Sequence, residues 1–583
     1  MPQPRWALRD WLAAAVLFLA TAGVVLWQNA HLAVLWDLSY VLDSASRIAL
    51  GQLPYRDFPF AHAPLTFVIQ AAIIRLTGRV FIHHVLYAAI VGGLGTVLTW
   101  RIVLRSVEDC VKYAWAIAVV LAAPLTVLGI YCIVPLPSYD GDCAFSILVA
   151  VWLLQRLKPG CTLRPWILLQ CLATGASLCV PVFFKQNIGL PFLAVACGII
   201  LSALVVSRIG RSSSPSHITW TRTLLAVLAG VAATLVAAAV LLHFTVGLGN
   251  YYHWTIQFAA QRRLPGIHDM LGVYHDPQLL WTLPCILAAL VRLRTPLAKA
   301  RWVQAIAVVV LAAPFVFTIC SLFIYDDADE RGDALLALWP MLLILATALA
   351  LWNLRLLRRY LTLGPLLPIV ILVAINGTFM SQQLWGSTYA IWPLLVVLIA
   401  GMIAYLAKLK LPDPGARILA PTMACVIATT LMICGGFYTA SEERLSYTQM
   451  PDAPIEHSTF PQLKGMAVAG PYLPDFEELL RYASANIPFS DGIILIPGEE
   501  PFYFVTGRTP QFPVLLFDPA TDPYSPAQVA EQASLHQIRW LIVKRELQIK
   551  EDPTPQREAT LKALMNDFTL TARLHGYDVY QRH

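Results

Sequence analysis

Thirteen apolar runs recur along this chain, near 11–30, 81–104, 113–134, 143–157, 165–183, 188–207, 222–245, 278–292, 303–325, 334–354, 361–380, 388–407 and 417–438. Crossing the hydrocarbon core of a bilayer as a helix takes about 20 mainly apolar residues. Most of the runs meet that length. The two short ones, 143–157 and 278–292, are expected to draw on their flanks. The stretch 64–78 is too short to span and is interrupted by Arg75, so a helix on the membrane surface is expected there. Only 13% of the 583 residues are charged and 58% are hydrophobic, whereas soluble proteins carry about 25% charged residues. The expected fold is an α-helical polytopic membrane protein of about 13 spans.

The loops between the runs give an orientation. With a cytoplasmic N-terminus, the inside loops carry Arg5 and Arg9, then Arg101, Arg105 and Lys112, then Arg156, Lys158 and Arg164. The series continues through Arg208, Arg211 and Arg222, Arg292 to Arg301, Arg355 to Arg359, and Lys408 to Arg417. The opposite loops hold Asp37, Asp43 and Asp57, then Asp140 and Asp142, then Asp326, Asp327, Asp329, Glu330 and Asp333. Basic loops lie on the cytoplasmic side, which puts the C-terminal end outside. The first run lacks a small-x-small site before a polar stretch, so it is read as a span rather than a cleaved leader. The net charge of +6 is scattered between spans rather than massed, which excludes a nucleic-acid partner. Eleven Cys all lie between Cys110 and Cys434 in or beside apolar runs. Their spacings match no zinc or redox motif, and buried, inert thiols are expected.

Past about residue 446 the composition turns polar and Pro-rich. Residues 475–486 have helical spacing, while 492–497, 538–544 and 577–581 read as strands. The expected division is a membrane domain over 1–445, with a first outside loop at 31–80, and a small α/β soluble domain over 446–583. That domain shows no phosphate-cradling Gly-rich loop and no nucleophile elbow, so its expected role is to cover or shape a site built by the membrane part.

The first outside loop is the unusual feature. Asp37 closes the first span, a helix-like stretch runs to Leu50, and Gly51-Gln52-Leu53-Pro54-Tyr55-Arg56-Asp57-Phe58 and His62-Ala63-Pro64-Leu65 follow. Charge at the end of a membrane helix is costly unless water or a ligand reaches it. On the residues alone, Asp37 is either a solvated helix-end carboxylate or part of a site.

This loop resembles the first periplasmic loop of GT-C-type glycosyltransferases, in particular family 39 and its bacterial relatives, the protein O-mannosyltransferases and lipid A aminoarabinose transferases. Ser138-Tyr139-Asp140-Gly141-Asp142, Phe184-Lys185-Gln186-Asn187, Ser381-Gln382-Gln383-Leu384-Trp385-Gly386-Ser387 and Tyr503-x-x-x-Gly507-Arg508 are further matches, so the resemblance covers nearly the whole chain. Many members have Asp-Glu where this chain has Asp37-Leu38, and any role of that second carboxylate is absent or displaced here.

The resemblance implies a GT-C-like membrane domain in a bacterial inner membrane. It also implies transfer of a sugar from a polyprenyl-phosphate carrier to a hydroxyl of a glycolipid, polysaccharide or protein on the periplasmic face, usually with inversion. Attack by a hydroxyl needs a general base, and Asp37 matches the family's acid. The departing lipid phosphate needs charge neutralisation, for which Lys185 and Arg262 are the first choices, with Arg56, Arg263 and Arg331 behind them. A cation at a membrane face is otherwise a lipid-headgroup anchor. Arg56 alternatively pairs with Asp57 to hold the loop, and Tyr55 belongs to the same motif. His62 either contacts substrate or caps the surface helix. Asp140 and Asp142 either orient the acceptor or form half a divalent-cation site; no metal or cofactor is assigned, and a monomer is expected. Tyr251, Tyr252, His253 and Trp254 read first as an interfacial aromatic belt, with a sugar-stacking platform as the alternative. A transporter or lipid flippase is the alternative from another class, but the charges sit at helix ends and no half of the chain resembles the other. A scaffold that merely displays the C-terminal domain would leave the acidic loops without a purpose.

Overall fold

The computed structural model describes residues 6–31, 35–157, 164–209, 215–262, 267–294, 301–354, 363–380, 388–408, 416–441, 453–517, 521–546 and 555–582. It contains an apolar helix at each of the thirteen expected spans. The first part of the chain is α1 (Leu8–Asn29), α2 (Leu35–Ala49), α3 (Leu65–Thr77), α4 (Phe81–Val107), α5 (Ala114–Ala122), α6 (Leu125–Leu128), α7 (Tyr139–Arg156), α8 (Pro165–Phe184), α9 (Gln186–Ile209) and α10 (Pro215–Thr245). The later spans are Leu279–Arg294, Arg301–Ile324, Leu338–Leu354, Leu367–Phe379, Trp392–Lys408 and Ala416–Thr439. Among the described residues, eight helices are long and apolar enough to cross a bilayer outright, and five apolar ones are shorter. The third span breaks at Pro124, which has no N–H to continue the ladder, so α5 stops and α6 restarts. The fourth span gains length from its flank: Ser138 caps it, accepting from the Gly141 N–H at 3.2 Å.

The spans pack through small residues, as lipid-embedded helices do. A Cβ on Gly175 of α8 would sit 2.1 Å from the Val227 carbonyl of α10, and one on Gly230 would sit 2.4 Å from that of Leu172. These two backbones touch because neither glycine has a side chain. Ten cysteines among the described residues are free, five of them buried. Cys320 and Cys425 are exposed on the outer faces of their helices, which departs from the expectation of uniformly buried thiols.

At one end of the bundle, α2 and α3 lie across the helix ends, beneath the C-terminal domain. Its four-stranded sheet runs in the order β3-β4-β6-β5, from β3 (Gly492–Ile496), β4 (Ile538–Lys544), β5 (Phe568–Arg573) and β6 (Tyr577–Arg582). β3 and β4 are parallel; β6 is antiparallel to both β4 and β5. A separate pair joins β1 (Ile455–His457) to β2 (Ala467–Ala469).

α2 is the pillar on which this domain stands. Its contacts fall at four-residue spacing, one face of a helix. Ser39 donates to the Gly498 carbonyl at 2.9 Å. Asp43 accepts the N–H groups of Tyr503 and Phe504 at 3.2 and 2.7 Å. Arg47 donates to the Pro513 carbonyl at 2.7 Å and lies over the Phe58 ring. Burial pushes the Asp43 carboxyl well above its ordinary range. Burial also lowers Arg47, to about 10, which leaves it charged at neutral pH.

Candidate functional site

Asp37 lies in the first turn of α2, at the foot of that pillar; its side chain is outside the described residues. After α2, the loop folds on itself. Tyr55 takes a left-handed backbone (φ 67°), which costs an L-residue about 1–2 kcal/mol. Its N–H donates to the Phe58 carbonyl at 3.0 Å and its hydroxyl to the His62 carbonyl at 2.7 Å, offsetting that cost. Asp57 accepts from the Leu53 N–H at 2.7 Å and pairs with Arg56 at 2.8 Å. Hydrogen bonding from Arg56 holds the Asp57 carboxyl below its usual range. Both side chains of this pair serve the loop.

From His62 a run of polar and aromatic side chains leads into the bundle. The Tyr40 hydroxyl meets His62 Nδ1 at 3.3 Å, and the His62 ring lies 4.8 Å from that of Tyr139. The helix that follows is capped at Pro64 without a side-chain bond, so His62 does not cap it. The Lys185 ammonium sits 5.2 Å over the Tyr139 ring and bonds to Asp140, while the Tyr389 hydroxyl donates to the other Asp140 oxygen at 2.9 Å. Lys185 is the single residue between α8 and α9, and Asp140 is in the first turn of α7. Their side chains are 10% and 4% exposed. Breaking such a buried pair by removing one partner costs about 3–5 kcal/mol. An ammonium has three donors, and Asp140 is its one hydrogen-bond partner among the described residues.

Asp142, two residues from Asp140, sits in a different environment. It accepts the hydroxyls of Thr66, Tyr87 and Tyr131, each at 2.7 Å, and so ties α3, α4 and the approach to α7 together. It is fully used inside the protein. Among the described residues, no three His, Cys, Asp or Glu converge as metal ligands.

The structure thus gathers Tyr55, His62, Asp140 and Lys185 around one run of side chains, with Asp142 beneath it. Tyr40 and Tyr389 join this set without having been singled out in the sequence, and Tyr139 stood there only as part of the Ser138–Asp142 match. Tyr139 and Tyr389 stand at or just before helix starts and Tyr40 lies within α2; tyrosines near membrane-helix ends are ordinarily interface anchors, so composition could not separate them. Tyr251 and Trp254 turn inward to the same cluster, Tyr251 at 5.2 Å from the Tyr55 ring, while Tyr252 and His253 stay exposed. Arg331 lies apart, donating from Nε to the Tyr325 carbonyl at 2.8 Å. The Arg262 side chain, Arg263 and the 381–387 motif lie outside the described residues. The Tyr503-x-x-x-Gly507-Arg508 match is structural: Arg508 donates to the carbonyls of Ala483, Ile487 and Pro488, closing the end of helix Tyr472–Asn486. Gly507, at φ 71°, leaves room for Arg79.

Fold and site together define a multi-pass membrane protein that buries a charged pair among tyrosines, beneath a small α/β domain. The chain is similar to ArnT from Cupriavidus metallidurans, in its crystal structure bound to undecaprenyl phosphate, at 14% identity and a TM-score of 0.42 over 98% of each chain. It is also similar to the archaeal oligosaccharyltransferase AglB from Archaeoglobus fulgidus, in complex with an inhibitory peptide and a dolichol-phosphate. There the identity is 11% and the TM-score 0.46, over 92% of this chain and 69% of that one. No family model and no curated protein matches the chain.

Proposed function

We propose that the protein is an inverting glycosyltransferase of a bacterial inner membrane, with its C-terminal domain on the periplasmic side. It moves a sugar from a polyprenyl-phosphate carrier to a hydroxyl acceptor. The observation that carries this reading is the buried Lys185–Asp140 pair at the domain end of the bundle, flanked by Tyr139, Tyr389 and His62. The first-loop resemblance and the alternation of basic and acidic loops support it.

In the proposed step the acceptor oxygen attacks the anomeric carbon and the bond from that carbon to the phosphate oxygen breaks. The bonding electrons stay on the lipid phosphate, and the acceptor proton passes to Asp37. Lys185 meets the charge that develops on the phosphate. Asp140 and Tyr389 keep Lys185 in place, and the tyrosine faces and His62 bound the space the sugar enters.

Lys185→Ala should abolish transfer, whereas Lys185→Arg should keep part of it, because Arg retains the charge but not the geometry. Since Lys185→Ala also strands Asp140, the Lys185→Gln/Asp140→Asn double variant separates the roles. It should restore thermal stability to near the parent's and still fail to transfer. A double variant as active as the parent removes Lys185 from the reaction.

A further inference from the structure

A cavity of about 380 Å³ opens at the domain end of the bundle, sharing no lining residue with the site around Lys185. It lies between helix Ala328–Leu336 and the ends of the Arg301–Ile324 and Ala416–Thr439 spans. Leu322, Cys434 and Phe437 make its apolar wall, and Asp326 and Arg331 supply charge. Arg331 is half-buried, and only its Nε is used, on the Tyr325 carbonyl. Asp326 carries no ion pair or hydrogen bond among the described residues, to Arg331 or to any other group. A guanidinium and a carboxylate therefore share one cavity without neutralising each other.

The surroundings choose the ligand. Asp326, Asp327, Asp329, Glu330 and Asp333 set five carboxylates against the one guanidinium, so a simple anion is repelled. A group with both charges is matched: a phosphate accepts the paired N–H donors of Arg331, and a primary ammonium donates to Asp326. A quaternary ammonium has no N–H to donate and would need an aromatic cage instead. Phe437 on the cavity wall and Phe323 next to lining residue Leu322 in sequence are 58% and 86% exposed, an apolar surface continuous with the charged cavity. We propose that this cavity binds the head group of a zwitterionic amino-phospholipid, with phosphate on Arg331 and ammonium on Asp326.

The test is native mass spectrometry of the full-length chain in detergent, with phosphatidylethanolamine, phosphatidylcholine and phosphatidylglycerol of matched chain length. Glycerophosphoethanolamine is the water-soluble head-group control. The parent should retain phosphatidylethanolamine over the other two. Arg331→Gln should weaken that retention about ten-fold, the loss of one charge-assisted contact, and Arg331→Lys should recover part of it. Asp326→Asn should abolish the preference over phosphatidylglycerol. Asp326 has no partner to lose, so this variant should melt with the parent. Equal retention of phosphatidylethanolamine by the parent and both neutral variants would overturn the proposal. So would phosphatidylglycerol held as tightly by the parent, or the soluble head group bound as tightly as the lipid.

Discussion

Two aspartates two residues apart do different work here, and their partners decide which. Asp142 answers three hydroxyls. Removing it would strand buried Tyr131 and Thr66 and half-buried Tyr87, at about 1–3 kcal/mol for each buried group left unpaired. Asp142→Ala is therefore expected to lower the melting temperature and the yield. Any fall in transfer should track the folded fraction. Asp140→Asn keeps the shape and the Tyr389 bond but leaves the buried Lys185 ammonium unpaired, at about 3–5 kcal/mol, so it should lose transfer well beyond what its fall in melting explains. Parallel melting and transfer measurements on the two variants check this, and a stable, inactive Asp142→Ala would move the chemistry to Asp142. The Asp-Gly-Asp spacing was plain in the sequence. What divides the pair was not, because Tyr87, Lys185 and Tyr389 reach it from three parts of the chain far apart in sequence.

Among elements, α2 couples the membrane part to the C-terminal domain. Ser39, Asp43 and Arg47 recur every four residues and so share a face, but sequence alone does not say whether such a stripe meets water or protein. Asp43 accounts for two backbone N–H groups of the domain, so Asp43→Ala should loosen docking. Its raised carboxyl also fixes a pH dependence. A raised acid stabilises the fold while protonated, so this contribution is full below the ordinary carboxylate range and is lost as pH rises through the folded-state value. Melting temperature should therefore fall as pH is raised towards neutrality, and Asp43→Asn, which cannot titrate, should lose that slope. A slope unchanged in the Asn variant would assign the dependence to other groups. The spans were legible because a bilayer demands long apolar runs, and the strands at 492–497, 538–544 and 577–581 because β-branched and aromatic residues are dense there. β5 was not, since most of its residues face water at the sheet edge, and polar edge strands carry no apolar signature.

At the scale of the whole molecule, the alternation of loop charge implies a cytoplasmic N-terminus and a periplasmic C-terminal domain. A reporter active only outside the cytoplasm should work when fused after Asn29, Asp142, Asp329 or His583, and should be silent after Lys158, Lys299 or Arg359. An active fusion at Lys299 with a silent one at His583 would contradict this topology. Asp37 lies in the first turn of α2, whose Ser39 meets the C-terminal domain. The most direct measurement is sugar transfer by the purified full-length chain and its Asp37→Asn variant. Polyprenyl-phosphate hexoses and pentoses, labelled in the sugar, serve as donors, with envelope lipid and protein extracts as acceptors. Loss of a general base costs about 10²–10⁴-fold in rate. The parent should label an acceptor, and the variant should bind the same donor with unchanged affinity yet transfer slower by that factor. Transfer by Asp37→Asn at the parent's rate would contradict the assignment of the base. A parent that labels no acceptor but carries the donor across a bilayer would contradict the account as a whole.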